Sequence, residues 1–520
     1  MTILLQASNI NLEIQNRKLL EIEHLQIHQN DRIGIVGKNG AGKSTLLHIL
    51  AGKISIEVCS IQRFSTMELI PQFKNTNTTK SGGEVTQAYI TEAIQGSPAL
   101  LMADEPTTNL DTEHVEWLEN KLKHWQGALL LVSHDRAFLD SLCTKILELK
   151  DGKITEYPGN YSFFAAQKDL ERMQHEQSYE QYTKKKRQLE DALTLKKSKA
   201  SKATKKPKGT NLVESRNSKP YFAKKQKKLD QTAKALKTRI EKLDKVEKPF
   251  EEKRLVMSVP NEELLNGRVV LRAEGFSGEI GRRTLWGPAT FQLFAGEKIG
   301  LIGPNGSGKT TLLKKILDGD EGIYKSPAVK IGYFRQNLTI LNPAMTIMEN
   351  VQEDSIHDET TIRTVLARLH FRREDVFKKV EVLSGGERVK VALAKVFLSD
   401  VNTLVLDEPT NFLDLEALEA FEDLLISYPG TLLFVSHDRR FLQKVAKRVI
   451  SIKEKKIHLF DGTYDEWLQH EQQSESTNSD ERLLQIENRL AEVISLLSIQ
   501  PTPQLDAEFQ RLLKEKNTLK

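Results

Sequence analysis

The chain has 520 residues, 28% of them charged, and a formal net charge of +5, a length that accommodates two or three domains with full cores. No stretch approaches the roughly 18 apolar residues of a membrane-spanning helix, and Met1–Ile14 lacks the basic-then-apolar order of a secretory signal. Two cysteines, Cys59 and Cys143, build neither a disulfide framework nor a metal motif, so the expected setting is a reducing cytoplasm with no membrane partner.

In chain order, the apolar run Ile33–Val36 predicts a strand, Gly37-Lys-Asn-Gly-Ala-Gly-Lys-Ser44 a loop, and Thr45–Leu50 a helix. A glycine, four residues, then Gly-Lys-Ser/Thr between strand and helix is the phosphate-loop pattern. Gln72, Ser81-Gly-Gly-Glu84, the run Leu100-Leu-Met-Ala-Asp-Glu105, Asn109-Leu-Asp111, the strand-length run Ala128–Val132 and Ser133-His-Asp-Arg136 complete a first domain over residues 1–160.

Residues 161–265 read as a linker. Tyr182, Leu189 and Leu193, then Leu229, Leu236, Ile240 and Leu243, recur at the spacing of two helices packed antiparallel. Pro207, Gly209, Asn211, Asn217 and Pro220 place a turn at 205–222. A helix of about 40 residues is roughly 60 Å long, which would carry that tip well clear of the flanking domains. Between Lys184 and Lys228 there are 17 Lys or Arg against three acids, so the remaining residues are net acidic. Such a segment suits a polyanionic partner. Lys205, Lys206, Lys208 and Lys219 are candidate phosphate contacts, and Tyr221 and Phe222 can stack on bases or pack the tip.

From 266 to 470 the first domain repeats. Gly303-Pro-Asn-Gly-Ser-Gly-Lys-Thr310, Gln336, Ser384-Gly-Gly-Glu387, Thr403-Leu-Val-Leu-Asp-Glu408, Phe412-Leu-Asp414 and Ser436-His-Asp-Arg439 follow in the same order. From signature serine to strand-end glutamate is 24 positions in both copies, and from that glutamate to the histidine 29. One interval differs: Gln336 to Ser384 is 48 positions and Gln72 to Ser81 only nine. The first domain should therefore lack most of the helical layer that the second builds from about Ile347 to Val380. Residues 471–520 form a tail of two amphipathic helices around Pro501 and Pro503, striped by Leu483, Leu490, Val493 and Leu497, then Leu505, Phe509 and Leu512.

These residue types fit nucleotide chemistry. Glycines let backbone N–H groups wrap a triphosphate, and the helix that follows favours an anion at its start. The expected ATP contacts are Gly37, Asn39, Gly40, Gly42, Lys43, Ser44 and Thr45 in one copy, and Gly303, Asn305, Gly306, Gly308, Lys309, Thr310 and Thr311 in the other. Lys43 and Lys309 would reach the β- and γ-phosphates. Ser44 and Thr310, with Asp104 and Asp407, would hold Mg²⁺. Glu105 and Glu408 are placed to orient or deprotonate the attacking water. His134 and His437 would contact the γ-phosphate, while Gln72 and Gln336 would sense metal and water. No tyrosine is evident for adenine stacking; Phe276 is the candidate in the second copy.

These motifs resemble the ATP-binding cassette family. That resemblance implies two α/β cassettes docked head to tail within one monomer, each signature turn completing the other's site. Ser384, Gly385 and Gly386 would cap the nucleotide on Lys43, and Ser81, Gly82 and Gly83 the one on Lys309. Tandem cassettes, a basic helical hairpin and no membrane domain resemble the ABC-F branch. Ala203-Thr-Lys-Lys-Pro-Lys208, Lys219-Pro-Tyr-Phe222 and the shortened first cassette look most like its Vga/Vml-type antibiotic-resistance members. The resemblance implies a bacterial ribosome partner, with binding near the exit-tRNA site and the hairpin aimed at 23S rRNA, the peptidyl-tRNA and the peptidyl-transferase centre. It also implies protection from lincosamides, pleuromutilins and group A streptogramins. A general translation factor, a transporter ATPase and a DNA-repair ATPase are the alternatives.

Overall fold

The strongest apolar runs become the central strands of two six-stranded sheets of matching order. The computed structural model describes residues 2–14, 17–56, 59–72, 82–108, 110–203, 219–246, 267–335, 340–411, 413–499 and 503–519. In the first sheet the order is Met67–Ile70, Leu100–Asp104, Ala128–Val132, Arg32–Val36, Lys145–Lys150, Lys153–Pro158; only the last strand pairs antiparallel. The second runs Ile331–Phe334, Thr403–Asp407, Thr431–Val435, Lys298–Ile302, Arg448–Lys453, Lys456–Phe460. Leu100–Asp104, Ala128–Val132, Thr403–Asp407 and Thr431–Val435 are buried along their whole length, as strands covered on both faces must be. Each phosphate loop leaves the end of the fourth strand, in the crevice where such sheets bind ligands. A three-stranded antiparallel sheet (Ile3–Ile14, Arg17–His28, Ser60–Arg63; Val269–Ile280, Arg283–Phe294, Ile323–Lys325) accompanies each.

The second cassette carries a helical layer, Ile347–Gln352 and Glu359–Arg368, whose Ile347, Val351, Ile362, Val365 and Leu366 are buried in its core. Thr346 and Glu349 cap its first helix reciprocally, fixing where it starts. In the first cassette, residues 71–81 alone separate the strand Met67–Ile70 from the helix Gly82–Gln95.

Residues Tyr161–Lys253 form a separate compact unit. Helix Tyr161–Ala203 packs against helix Lys219–Glu241. Tyr182, Leu189, Leu193, Leu229, Leu236, Ile240 and Leu243 are half-buried, and Ala200 and Ala233 are buried. The stripe of large residues was readable, but the buried contacts are made by alanine. The turn assigned to 205–222 ends earlier than expected. Lys219, Pro220, Tyr221 and Phe222 already belong to the second helix, because a proline in a first helical turn costs no hydrogen bond. Lys205, Lys206 and Lys208 lie outside the described residues.

A continuous helix crosses the boundary expected at 470. One helix of 36 residues, Tyr464–Ile499, begins inside the second cassette, with Tyr464 buried in its core, and continues into the tail. It packs against Pro503–Leu519 through buried Ile486, Leu490 and Val493 and half-buried Leu505, Phe509 and Leu512. Pro501 and the side chains of Leu483 and Leu497 lie outside the described residues. Among the described residues no helix is long and apolar enough to cross a membrane.

Candidate functional site

Both phosphate loops are bent by glycines that nothing else can replace. At Gly37 and Gly303, φ is 154° and 147°, and a Cβ would stand 2.4 Å from the Leu149 carbonyl oxygen and 2.6 Å from that of Ile452. Each loop thus crosses directly over a neighbouring strand end, which commits its remaining N–H groups to the crevice. Gly42 and Gly308, in the left-handed region, start helices Lys43–Leu50 and Lys309–Asp318. Lys43 Nζ donates to the carbonyls of Gly37 and Lys38 at 2.7 and 3.1 Å; Lys309 Nζ donates to those of Gly303 and Pro304 at 2.7 and 3.0 Å. Burial lowers both ammonium pKa values, against the pull of Glu105 and Glu408.

Asp104 and Asp407 end buried strands, and burial raises both carboxyls. Thr310 Oγ1 donates to Asp407 Oδ1 at 3.2 Å. Asp104 Oδ1 is buried with no hydrogen-bond partner among the described residues. An orphaned carboxylate oxygen beside a phosphate loop and a Ser44 hydroxyl is a donor set that fits a hard divalent cation.

The next residue in each copy, Glu105 or Glu408, sits at φ 50° or 51°, a left-handed conformation that costs energy for a non-glycine residue. It is held there because its amide donates to Val132 O at 2.8 Å or Val435 O at 3.0 Å. Burial pushes Glu105 up to about 8 and Glu408 up to about 7. His134 and His437 place Nε2 3.3 Å from the Oε1 of their respective glutamates, and burial drives both down to about 3. The imidazoles are therefore neutral at physiological pH.

The two halves meet reciprocally. Asp111 caps helix Thr112–Lys123 through Oδ1 and accepts the amide of Asn305 on Oδ2 at 2.8 Å. Asp414 caps helix Leu415–Ser427 and accepts the amide of Asn39 on Oδ2 at 3.3 Å. Arg136 of the first cassette donates to both carboxylate oxygens of Glu422 in the second, and Arg439 of the second to Glu119 in the first. Arg440 and Asp140 add a pair at 3.0 Å.

Between the cassettes lies a cavity of about 920 Å³. Asn39, Gly40, Gly42, Lys43, Ser44, Thr45, Gln72, Asp104, Glu105 and His134 line it from the first cassette; Asn305, Gly306, Gly308, Lys309, Thr310, Thr311, Asp407, Glu408 and His437 line it from the second. Ser384 and Gly386 line it too. Ser384 starts helix Gly385–Leu398 with a reciprocal cap to Glu387. Gly37 and Gly303 shape the loops from beneath. Gly82 and Gly83 open helix Gly82–Gln95; Ser81 and Gln336 lie outside the described residues.

Phe276 is misassigned as a base platform. It is 1% exposed, packs on Trp286 at 5.8 Å between ring centroids, and lies under the Lys315 ammonium, because its strand turns that face into the core. Beside the phosphate loops the cavity is lined instead by Leu19, next to Gly42, and by Leu285, next to Gly308, with Ile280 and Arg283. The joint residues Asp111, Asp414, Arg136, Glu422, Arg439 and Glu119 were given no role from sequence. The signal was present, since Leu-Asp and Ser-His-Asp-Arg recur at matched spacing in both copies.

A family profile described as ABC transporter matches residues 20–65 and 287–411, and a second of the same description matches 147–212. The ribosome protection protein VmlR of Bacillus subtilis is 32% identical over 98% of this chain and 96% of its own length. The erythromycin resistance ATP-binding protein MsrA of Staphylococcus epidermidis is 31% identical over 87% of this chain and 98% of its own. The ATP-binding protein Uup of Escherichia coli is 30% identical over 83% of this chain and 77% of its own. Among solved structures, the archaeal ribosome recycling factor aABCE1, crystallised with the stalk protein aP1, superposes with a TM-score of 0.56 at 18% identity, over 85% of this chain and 87% of that one; it supports the fold alone. With two phosphate loops, two strand-end glutamates and relatives matched along almost its whole length, the chain belongs to the ABC-F family of tandem ATP-binding cassette proteins and is an ATP hydrolase.

Proposed function

We propose that the chain binds two ATP molecules in the joint between its cassettes, opens that joint on hydrolysis, and uses the cycle on the bacterial ribosome to protect it from antibiotics. The observation that carries the reading of the cycle is the shared cavity, in which both phosphate loops and Ser384 of the opposite signature turn face one space. Lys43 and Lys309 leave their loop carbonyls for the triphosphate. Glu105 or Glu408 accepts the proton of a water whose oxygen bonds to the γ-phosphorus as the bond to the β–γ bridging oxygen breaks and ADP leaves. His134 or His437, neutral, donates Nε2–H to a γ-phosphate oxygen, and Gln72 or Gln336 holds the water. Mg²⁺, held by Ser44 and Asp104 or by Thr310 and Asp407, would neutralise charge on the β- and γ-phosphates. Ser384 with Gly385 and Gly386, and Ser81 with Gly82 and Gly83, cap the two nucleotides. The adenines lie against Leu19 and against Leu285 with Arg283.

The ribosomal assignment is supported by near full-length similarity to a protein named for ribosome protection. It is supported also by the basic segment 184–228, whose cations outnumber its acids 17 to three and so favour a phosphate backbone. On this reading the protein works in the cytoplasm. Lys205, Lys206, Lys208 and Lys219 contact rRNA near the exit-tRNA site, Tyr221 and Phe222 meet bases or peptidyl-tRNA, and the tip displaces lincosamides, pleuromutilins or group A streptogramins. Expression in a drug-sensitive host should raise the inhibitory concentrations of these drugs, and deletion of 205–222 should abolish the rise while purified ATPase activity persists. Altered elongation or growth with unchanged drug tolerance would instead favour a general translation factor.

A further inference from the structure

The two nucleotide sites are built from largely matching residues, and their symmetry breaks at the joint. On the side of Lys43, the signature helix Gly385–Leu398 presents Lys390, whose Nζ donates to Asp414 Oδ2 at 3.0 Å. Both side chains are buried. The same Oδ2 accepts the amide of Asn39, in the opposite phosphate loop, at 3.3 Å. Oδ1 is committed to the amide of Ala417. One carboxylate therefore ties the signature helix, the start of helix Leu415–Ser427 and the other cassette's phosphate loop together. Beside it, Lys38 of that loop pairs with Glu416 at 3.2 Å.

On the side of Lys309 the corresponding chain is broken. The residue six positions past the signature serine, where Lys390 stands past Ser384, is Gln87 past Ser81. Asp111 Oδ1 meets His114 Nδ1 of its own helix at 2.5 Å, and among the described residues no side chain of the signature helix bonds to it. Pro304 occupies the place of Lys38, so this loop offers no cation to Glu113.

A buried charge-assisted bond holds its geometry far better than a neutral amide contact does. We infer that Lys390 is a positioning residue that makes the signature turn and Asp414 move as one body onto the Lys43 site. That site consequently closes more tightly and opens last, while the Lys309 site, lacking the coupling, exchanges nucleotide first. The inference rests on the two-site sandwich proposed above.

The test uses the full chain with one site at a time disabled for hydrolysis. Glu105→Gln traps ATP on the Lys43 side and Glu408→Gln on the Lys309 side. Each is loaded with radiolabelled ATP and magnesium and chased with unlabelled ATP. Label should leave the Glu105→Gln protein about tenfold more slowly, the kinetic equivalent of about 1.4 kcal/mol. Adding Lys390→Gln should remove that advantage and leave retention in Glu408→Gln unchanged, and Lys390→Arg should restore it. Equal retention in the two parents overturns the inference, as does a Lys390→Gln effect of the same size on both sides, the mark of general loosening. Label held by neither parent overturns the sandwich reading and this inference with it.

Discussion

Two ion pairs occupy equivalent places in the repeat, Arg136–Glu422 and Arg439–Glu119, and they are not equivalent in energy. In the first, the side chains are 2% and 0% exposed and Lys444 joins Glu422 at 2.7 Å; in the second they are 18% and 9% exposed. Burial, not residue identity, sets what such a pair is worth: removing one partner of a dry pair strands a charge, whereas water can replace it at an edge. The pairs thus give the joint a firm side and a yielding side.

The largest test of that difference is removal of the arginines. Arg136→Ala should cost up to about 3–5 kcal/mol in a denaturant titration, the range for breaking a buried pair, less what Lys444 still supplies to Glu422. Arg439→Ala should cost about 1.5–3 kcal/mol, the range for a hydrogen bond to a charged group. Equal losses would erase the distinction.

A second test separates the sites by pH. With Glu408→Gln only the Lys43 site turns over, and kcat/KM should climb through pH 8; with Glu105→Gln it should climb through pH 7, because the free enzyme's base must shed its proton before accepting another. Stability runs the opposite way. A carboxyl raised from its ordinary value of 4.5 to about 7 or 8 contributes stability present below the unfolded pKa and lost as pH rises through the folded one. Replacing both glutamates by glutamine should flatten that decline in thermal melts between pH 5 and about pH 8.

The smallest effect is expected at Lys38–Glu416, whose side chains are 52% and 47% exposed. Glu416→Gln should change stability by less than about 1 kcal/mol, and the change should shrink in salt. A larger loss would mean that this exposed pair is part of the firm side of the joint.

The sequence was most legible where chemistry and spacing coincide. Gly37, Lys43, Asp104, Glu105 and His134 cluster because each ends or follows a buried strand, a position that an apolar run marks in advance. The joint was less legible, since Arg136 and Glu422 are 286 residues apart and only the docked surfaces bring them together. Phe276 failed for a related reason: strand register decides which face an aromatic takes, and a twelve-residue strand with several register shifts hides that decision from simple alternation. Pro220 was read as a breaker because its type is visible and its place in the first turn is not. Ala200 and Ala233 carry too little hydrophobic signal to stand out, although their small size is what lets two helices approach closely.

The aspartates Asp111 and Asp414 each divide their labour between two oxygens. One keeps a helix from fraying, and the other greets the neighbouring cassette. On the proposed cycle, Asp111 Oδ2 must find a water molecule when the halves part, Asp414 Oδ2 keeps Lys390, and neither helix loses its cap. On that cycle the two halves would part and rejoin without unwinding the helices that Asp111 and Asp414 cap.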